Sequence, residues 1–194
     1  MAESRESASS RDIYQLKVTL KGARPPIWRR FQVKGGARLD KLHLFLQVIM
    51  GWSNYHLYQF TIDGVAYGEP HPDYEDDMED AAKVRLSDLA PGEGFKFDYM
   101  YDFGDSWEHR ILVEKILPPQ EGVHYPVCLA GKRACPPEDC GGVWGYEELL
   151  ETIRDPEHEQ YDEMMDWLGG EFNPEAFDLN EVNERLSGRL EDAL

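Results

Sequence analysis

The sequence has few cysteines and no long apolar run. No stretch of its 194 residues approaches the roughly 20 apolar residues of a membrane-spanning helix, which argues against membrane insertion. Residues 1–11, MAESRESASSR, are small, polar and charged, which is typical of a disordered tail rather than a signal peptide. Three cysteines without an export signal favour a reducing compartment over a disulfide framework. The sequence therefore predicts a soluble, cytoplasmic protein.

Cationic residues are scarce in most of the chain. Residues 1–60 hold ten Lys or Arg against four Asp or Glu, a balance of +6, and residues 61–194 hold ten against 34, a balance of −24. The formal net charge of −18 disfavours nucleic-acid binding, since phosphate binding needs clustered cations. The asymmetry indicates either a polyanion-binding face or basic strands that pack beside acidic helices. We favour the second interpretation, because folding brings the two parts together.

Apolar periodicity predicts strands early in the chain and helices late. IYQLKVTLKG (13–22) alternates like a half-buried strand, and LDKLHLFLQVIMGW (39–52) has the apolar spacing of a helix. Further strands are predicted over 27–36, 56–68, 95–103 and 106–117, and further helices near 145–154, 157–168 and 178–190. We expect an α+β fold, with a mainly antiparallel sheet of five to six strands, one early inserted helix and a C-terminal helical cluster packed on the sheet. One domain would span 12–187, between tails at 1–11 and 188–194.

The segment EPHPDYEDDMED (69–80) contains seven carboxylates and no Lys or Arg. Such a segment could attract a cation, but it lacks the spaced oxygen ligands and central glycine of a calcium-binding loop. An exposed, solvated loop is the favoured interpretation.

The segment YDFGDSWEHR (101–110) combines carboxylates and a histidine with a predicted tight hairpin turn at Gly104 and Asp105. His109 shares a face with the apolar residues of its strand, so it points toward the core or a pocket floor. We favour a hydrogen-bonded structural histidine. The functional alternative is that Asp102 or Asp105 orients His109 as an acid–base pair or a metal-binding edge. Asp105 could instead cap the turn.

The segment CLAGKRACPPEDCGGVWGY (128–146) contains all three cysteines, Cys128, Cys135 and Cys140. Six and four residues separate them, whereas a strong zinc signature has paired C-x2-C spacings. His109 or Asp139 could complete a fourfold zinc site with the three thiolates, and a thiol nucleophile with His109 as its base is a further alternative. We favour small buried thiols in a proline-rich loop. The glycines at 141–142 could also offer N–H groups to an anion.

The segment RPPIWRR (24–30) is a candidate nucleic-acid site. Trp28 could stack on a base while Arg24, Arg29 and Arg30 contact phosphate. Because strand residues alternate, Arg29 and Arg30 must point to opposite faces, so one phosphate-binding surface can use only one of them. Structural salt bridging is therefore the favoured role.

Five motifs occur in an order that resembles the plasmid ORF-3-like family, also labelled the insertion-element passenger type. They are PPIWRR, LHLFLQVIMGWSNYHLYQF, YDFGDSWEH, CPPEDCGGVWGY and FNPEAFD, and the resemblance spans roughly residues 12–187. It implies a single α+β domain and an association with mobile elements. It adds no reaction. The matched positions in the third and fourth motifs are Tyr101, Asp102, Phe103, Gly104, Asp105, Trp107, His109, Cys135, Pro136, Pro137, Asp139, Cys140, Gly141 and Gly142.

The leading hypothesis is a binding module with a pocket where the 101–109 hairpin meets the 135–146 loop, because both place polar groups beside aromatics and glycines. The candidate pocket residues are Tyr101, Asp102, Gly104, Asp105, Trp107, His109, Asp139, Gly141 and Gly142. One alternative is a metal-assisted hydrolase that uses His109, Asp105 and cysteine ligands. The other is a nucleic-acid-associated protein that uses the basic hairpin at 24–30.

Overall fold

An eight-stranded sheet organises the structure, a computed structural model that describes residues 9–70 and 78–191. The strands are β1 (Ile13–Leu20), β2 (Trp28–Lys34), β3 (Tyr58–Ile62), β4 (Val65–Gly68), β5 (Met78–Asp80), β6 (Lys96–Tyr101), β7 (Trp107–Leu117) and β8 (Val127–Lys132). The helices are α1 (Leu39–Met50), α2 (Leu86–Leu89), α3 (Gly142–Thr152), α4 (Tyr161–Trp167) and α5 (Leu179–Glu191), with a 3₁₀ turn at Ala81–Lys83. The strand order is β5-β4-β3-β6-β7-β1-β2-β8, and the pairs are antiparallel except β4 with β5.

The predicted α+β class and mainly antiparallel sheet are confirmed, but the predicted count of five to six strands is too low. Strand β5 lies in the acidic segment predicted as a loop, of which residues 71–77 fall outside the described part of the chain. Strand β8 lies in the segment rich in proline and cysteine, and it pairs with β2. Both are edge strands held by residues distant in sequence, so neither needs its own alternating pattern.

Helix α1 forms where its apolar spacing predicts a helix. Leu39, Leu42, Leu46 and Ile49 are all buried in the core with the inward-facing residues of β1. Gly51 ends the helix in the left-handed conformation, with φ of 102° and its N–H donating to the carbonyl of Gln47. The chain then passes directly into a loop that reaches the end of β6.

Strands β6 and β7 form a hairpin in the middle of the sheet. Phe97, Tyr99 and Tyr101 are buried, but Phe103, which the spacing of the predicted strand over 95–103 puts on the same face, is 44% exposed. The alternation ends at Asp102, whose φ of 58° takes the chain out of the extended conformation and turns Phe103 outward. The turn therefore begins at Asp102, two residues before the predicted Gly104.

The structure describes only part of the predicted tails. Residues 1–8 of the predicted tail lie outside the described residues, as do 192–194, while the carbonyls of Ser9 and Ser10 accept hydrogen bonds from the N–H groups of Asp12 and Gly36. Within residues 9–70 and 78–191, no helix is both long enough and apolar enough to cross a membrane.

Candidate metal centre

Three loops meet where β6 ends. They are the loop after α1 at 51–57, the β6–β7 turn at 102–106 and the segment before α3 at 133–141. The N–H of Asp102 donates to the carbonyl of Leu57 at 2.9 Å, which joins the first two loops. The N–H of Gly141 donates to Oδ2 of Asp105 at 3.2 Å, which joins the second and third. The structure thus brings the predicted hairpin and loop together.

The local hydrogen bonds of Asp102 set the shape of the β6–β7 turn. Its Oδ1 accepts from the N–H of Gly104 at 2.9 Å, and its carbonyl accepts from the N–H of Ser106 at 2.7 Å. This bonding makes the left-handed conformation of an aspartate tolerable. Asp102, and not the predicted Asp105, caps the turn. With Oδ1 held by the turn, Oδ2 is left to face the loop after α1.

A histidine and two aspartates converge between the three loops. Nε2 of His56 lies 3.2 Å from Oδ1 of Asp139 and 3.7 Å from Oδ2 of Asp102. One ligand atom from each of the three residues lies within 4.8 Å of the other two, and this is the one such set of three or more in the described part of the chain. The side chains of Asp102 and His56 are 10% and 28% exposed, whereas that of Asp139 is 72% exposed.

The spacing of these atoms suits ligands of one metal ion better than a hydrogen-bonded cluster. Nε2 of His56 is buried and makes no hydrogen bond within residues 9–70 and 78–191, although carboxylate oxygens lie close to it. Bonds of about 2.1 Å to a common ion place neighbouring ligand atoms about 3.4 Å apart in a tetrahedron and about 3.0 Å apart in an octahedron. The observed 3.2 Å lies between these two values, whereas the observed 3.7 Å exceeds both, so binding an ion would draw His56 and Asp102 slightly closer together.

Glu138 fixes the segment that carries Asp139. Its Oε1 accepts from the hydroxyl of Tyr101 at 2.5 Å, and its Oε2 accepts from the N–H of Ser53 at 3.0 Å. The same hydroxyl accepts from the N–H of Tyr55 at 3.1 Å. Burial and the neighbouring carboxylate both raise the pKa of Tyr101, so its hydroxyl stays protonated and available to donate. One glutamate and one tyrosine thereby tie all three loops to the end of β6.

A buried polar network holds the loop that carries His56. Nε2 of His43 lies 2.5 Å from Oδ1 of Asn54, an oxygen that can only accept, so this nitrogen carries the hydrogen. Nδ1 of His43 then accepts from the hydroxyl of Tyr99 at 2.8 Å, and Nε2 of Gln47 donates to the same hydroxyl at 2.9 Å. Burial lowers the pKa of His43 to about 4, so the ring is neutral at pH 7. The network fixes Asn54, two residues before His56.

The glycines of the CGGVWGY motif allow close approach of backbones. A Cβ on Gly142 would lie 2.4 Å from the carbonyl oxygen of Asp105, and one on Gly145 would lie 1.9 Å from that of Cys140. The N–H of Gly141 is already bonded to Asp105. The N–H of Gly141 is therefore not free to bind an anion. These glycines instead let α3 start against the β6–β7 turn.

His109 lies in the core, separate from the three convergent ligands. It is fully buried, and its ring lies 5.3 Å from that of Trp52 and 5.4 Å from that of Tyr99. Neither ring nitrogen makes a hydrogen bond of good geometry in the described residues, although the backbones of Tyr99 and Trp107 lie close enough to interact weakly with the ring. Burial lowers its pKa to about 4. Neither Asp102 nor Asp105 hydrogen-bonds to it, so the alternative of an acid–base pair has no support, and the favoured structural role describes its position in the core.

The zinc site that was the alternative to buried thiols is not formed by the three cysteines. Within the described residues no set of convergent ligand atoms includes Cys128, Cys135 or Cys140 together with His109 or Asp139. Burial raises the pKa of all three thiols, that of Cys140 to about 12. A nucleophilic thiol needs a lowered pKa, so this environment also disfavours the predicted thiol chemistry.

The candidate nucleic-acid residues are mostly occupied by internal contacts. Arg29 is buried and donates to the carbonyls of Ile49, Trp28 and Lys132. Arg30 points to the opposite face, where it pairs with Glu114 at 2.6 Å and lies over Trp28. Arg24 remains exposed at the connection before β2. The predicted salt-bridging role thus describes Arg30, while Arg29 is a core residue.

Most predicted pocket residues lie at the junction, but in supporting roles. Tyr101, Gly104, Asp105, Gly141 and Gly142 shape the loops, and Trp107 is fully buried against Trp52. Asp102 and Asp139 are the two predicted residues that join the convergent set. Sequence reasoning missed His56 as a member of this set. Its only signal was its place inside the long family-like motif LHLFLQVIMGWSNYHLYQF.

Comparison with known proteins agrees with the predicted resemblance. The model of the family described as plasmid pRiA4b ORF-3-like protein matches residues 12–181. An uncharacterized protein, y4hQ, from Sinorhizobium fredii (strain NBRC 101917 / NGR234) is 40% identical over 176 residues, which cover 90% of both chains. The crystal structure of MM3350, a protein of unknown function from Methanosarcina mazei Go1, is similar with a TM-score of 0.80 and 43% identity, covering 90% of this chain and 99% of that one.

Proposed function

This chain belongs to the plasmid pRiA4b ORF-3-like family, and we propose that it is a binding domain built around a divalent-cation site at His56, Asp102 and Asp139. One observation carries the proposal: an imidazole nitrogen and two carboxylate oxygens converge within 4.8 Å, and that nitrogen is buried without a hydrogen-bond partner among the described residues. The site keeps the predicted location between the hairpin and the loop. Its ligands are His56 and carboxylates in place of His109 and thiolates.

The donor set favours borderline and moderately hard ions. One imidazole and two carboxylates suit Zn²⁺, Mn²⁺ and Co²⁺, whereas ions that prefer thiolates find no sulfur ligand in the set. The two carboxylates balance the charge of a divalent ion. An ion would thus also remove the repulsion between Asp102 and Asp139, which otherwise face one another in a strongly acidic molecule.

Three protein ligands leave at least one coordination position for another molecule. At such a position an ion can hold an anionic or carbonyl oxygen, or polarise a water molecule. A hydrolase would also need a carboxylate or imidazole available to act as general base. The nearby carboxylates of Asp105 and Glu138 already accept hydrogen bonds from Gly141, Tyr101 and Ser53. The arrangement therefore supports ligand binding better than hydrolysis.

Metal titration tests this proposal. Full-length protein stripped with EDTA is titrated with Zn²⁺, Mn²⁺ and Co²⁺ by calorimetry, and elemental analysis counts bound ions in protein purified without chelator. We expect one ion per chain. Asp102→Asn should weaken binding by about 100-fold or more, because asparagine removes the charge yet tolerates the left-handed backbone and can still accept from Gly104.

Two further variants make the result specific. His56→Ala should also weaken binding by about 100-fold or more, whereas His124→Ala, at an exposed position away from the three loops, should leave the affinity unchanged. Circular dichroism confirms that each variant is folded. The proposal is wrong if the folded wild-type protein binds no divalent ion, or if the His56 and His124 variants bind equally well.

A further inference from the structure

A cleft adjoins the candidate metal site. It has a volume of about 280 Å³ and lies between residues 139–140, α3 and α4. Asp139 belongs both to the convergent ligand set and to the wall of this cleft. A molecule that coordinates an ion at His56, Asp102 and Asp139 would therefore have the cleft beside it. The volume of the cleft lies just below the range of roughly 300–1,000 Å³ for small-molecule sites, so it can hold only a small group.

The walls of the cleft are largely apolar. Leu149 from α3 and Met164 and Trp167 from α4 contribute large apolar side chains. Trp167 is 51% exposed, so a ligand can still cover much of its surface. Gly145 faces the cleft without a side chain, because a Cβ there would collide with the carbonyl of Cys140. A flexible methionine and an aromatic ring form adaptable walls for an apolar group.

The charges near the cleft restrict what can enter it. Asp139 and Glu163 both line it, and the described residues that form its wall include no Lys or Arg. A carboxylate approaching without an ion would meet only like charges, whereas a divalent ion at the site would supply the attraction. The cleft itself therefore suits an uncharged part of a ligand.

We propose that the site binds small-molecule carboxylates that carry an uncharged apolar tail. The carboxylate coordinates the divalent ion held by His56, Asp102 and Asp139, and the tail lies against Leu149, Met164 and Trp167. This inference rests on the proposed metal site. It adds the class of ligand, and it requires that binding depends on both the ion and the tail.

The test uses 3-phenylpropionate as probe, acetate as the head group alone and 3-phenylpropanol as the tail alone. Binding to the full-length protein is followed by ligand-detected NMR and tryptophan fluorescence, with and without one equivalent of Zn²⁺. We expect 3-phenylpropionate to bind the zinc-loaded protein at least about tenfold more tightly than acetate, which corresponds to burial of roughly two methylene equivalents. Neither 3-phenylpropanol nor the metal-stripped protein should reach that affinity.

Two tryptophan variants locate the tail. Trp167→Ala removes one apolar wall of the cleft. It should lower the affinity for 3-phenylpropionate by about tenfold and leave the affinities for acetate and zinc unchanged. Trp144→Ala is the matched control, because Trp144 is 83% exposed on the neighbouring helix and does not line the cleft. It should change none of these affinities.

The possible failures can be told apart. If zinc binds but 3-phenylpropionate binds no more tightly than acetate, the ligand class is wrong and the metal site stands. If 3-phenylpropionate binds equally well to the metal-stripped protein, or if Trp144→Ala weakens it as much as Trp167→Ala, the proposed pose is wrong. If no divalent ion binds, the proposed function and this inference both fail.

Discussion

His56 and His109 lie near the same aromatic cluster, yet their surroundings give them different chemistry. The ring of His56 packs edge-on against Tyr101 at 5.8 Å between centroids, and its Nε2 faces two carboxylates. The ring of His109 packs against Trp52 and Tyr99, and both of its nitrogens lack partners in the described residues. One is placed to coordinate an ion, and the other acts as an apolar core residue.

Replacing His109 with phenylalanine tests that distinction. His109→Phe removes two buried nitrogens without hydrogen-bond partners and keeps an aromatic ring against Trp52 and Tyr99. We expect the free energy of unfolding at pH 7 to stay the same or rise by up to about 1 kcal/mol, measured by urea denaturation. Zinc affinity should not change. Loss of zinc binding in a folded His109→Phe protein would restore His109 as a ligand.

At the scale of elements, regular segments could be predicted and their junctions could not. The spacing of apolar residues in α1, β1 and β7 predicted those elements, because β1 and α1 bury one face along their length and β7 buries one face as far as Val113. The edge strands β5 and β8 escaped prediction because their pairing partners, β4 and β2, determine them. Strand β6 ends at Tyr101, earlier than the predicted residue 103, because Asp102 adopts a left-handed conformation that apolar periodicity does not encode.

The position of the candidate site could be predicted from the sequence, but the set of residues that converge there could not. The motifs at 101–110 and 128–146 pointed to the right junction, since both concentrate polar residues and glycines at predicted turns. The convergent set of His56, Asp102 and Asp139 depends on the loop after α1, which reaches the junction through hydrogen bonds from the N–H groups of Ser53 and Tyr55 to Glu138 and Tyr101. Such contacts join residues more than 40 positions apart, so no local pattern reports them.

The start of α3 gives a prediction at this scale. Gly142 has a φ of 68°, and an added Cβ would lie 2.4 Å from the carbonyl oxygen of Asp105. Gly142→Ala should therefore combine backbone strain with a collision and lower the free energy of unfolding by roughly 2–4 kcal/mol. It should also weaken zinc binding, because it pushes the β6–β7 turn with Asp102 away from Asp139. Urea denaturation and calorimetry measure the two effects.

Gly64→Ala is the matched control for that substitution. Gly64 also has a positive φ, 83°, but a Cβ there would meet nothing within 4 Å. This variant should lose only the roughly 1–2 kcal/mol of left-handed backbone strain and keep its zinc affinity. Equal losses in the two variants would show that the contact between α3 and the turn is unimportant.

At the scale of the whole molecule, the uneven charge of the sequence is partly balanced in the fold. Arg30 on β2 pairs with Glu114 on β7, and Lys21 pairs with Asp98 and Glu108 at 3.1 Å each. These pairs join the basic first 60 residues to acidic residues of β6 and β7, and not to the acidic helices that the favoured interpretation named. Hydrogen bonding to Arg30 lowers the pKa of Glu114, so this pair contributes stability until the carboxylate is protonated below its ordinary pKa of 4.5.

The two buried histidines make the free energy of unfolding depend on pH over a range above that of Glu114. Burial lowers the pKa of both His43 and His109 from 6.5 to about 4, and for His109 this effect outweighs weak hydrogen bonding to the backbones of Tyr99 and Trp107, which acts in the opposite direction. Between pH 6.5 and 4 the unfolded chain therefore binds more protons than the folded chain, so the free energy of unfolding falls as the pH falls. Each histidine accounts for up to about 3 kcal/mol over that interval.

Urea denaturation of wild-type, His109→Phe and His124→Gln proteins between pH 7 and 4 tests this account. The phenylalanine variant lacks one of the two buried titrating groups, so its advantage over wild type should grow by about 2–3 kcal/mol as the pH falls from 7 to 4.5. His124 is exposed, and its variant should follow the wild-type curve. Parallel curves for His109→Phe and wild type would mean that the core accepts a proton on His109 without cost, which its dry packing against Trp52 and Tyr99 opposes.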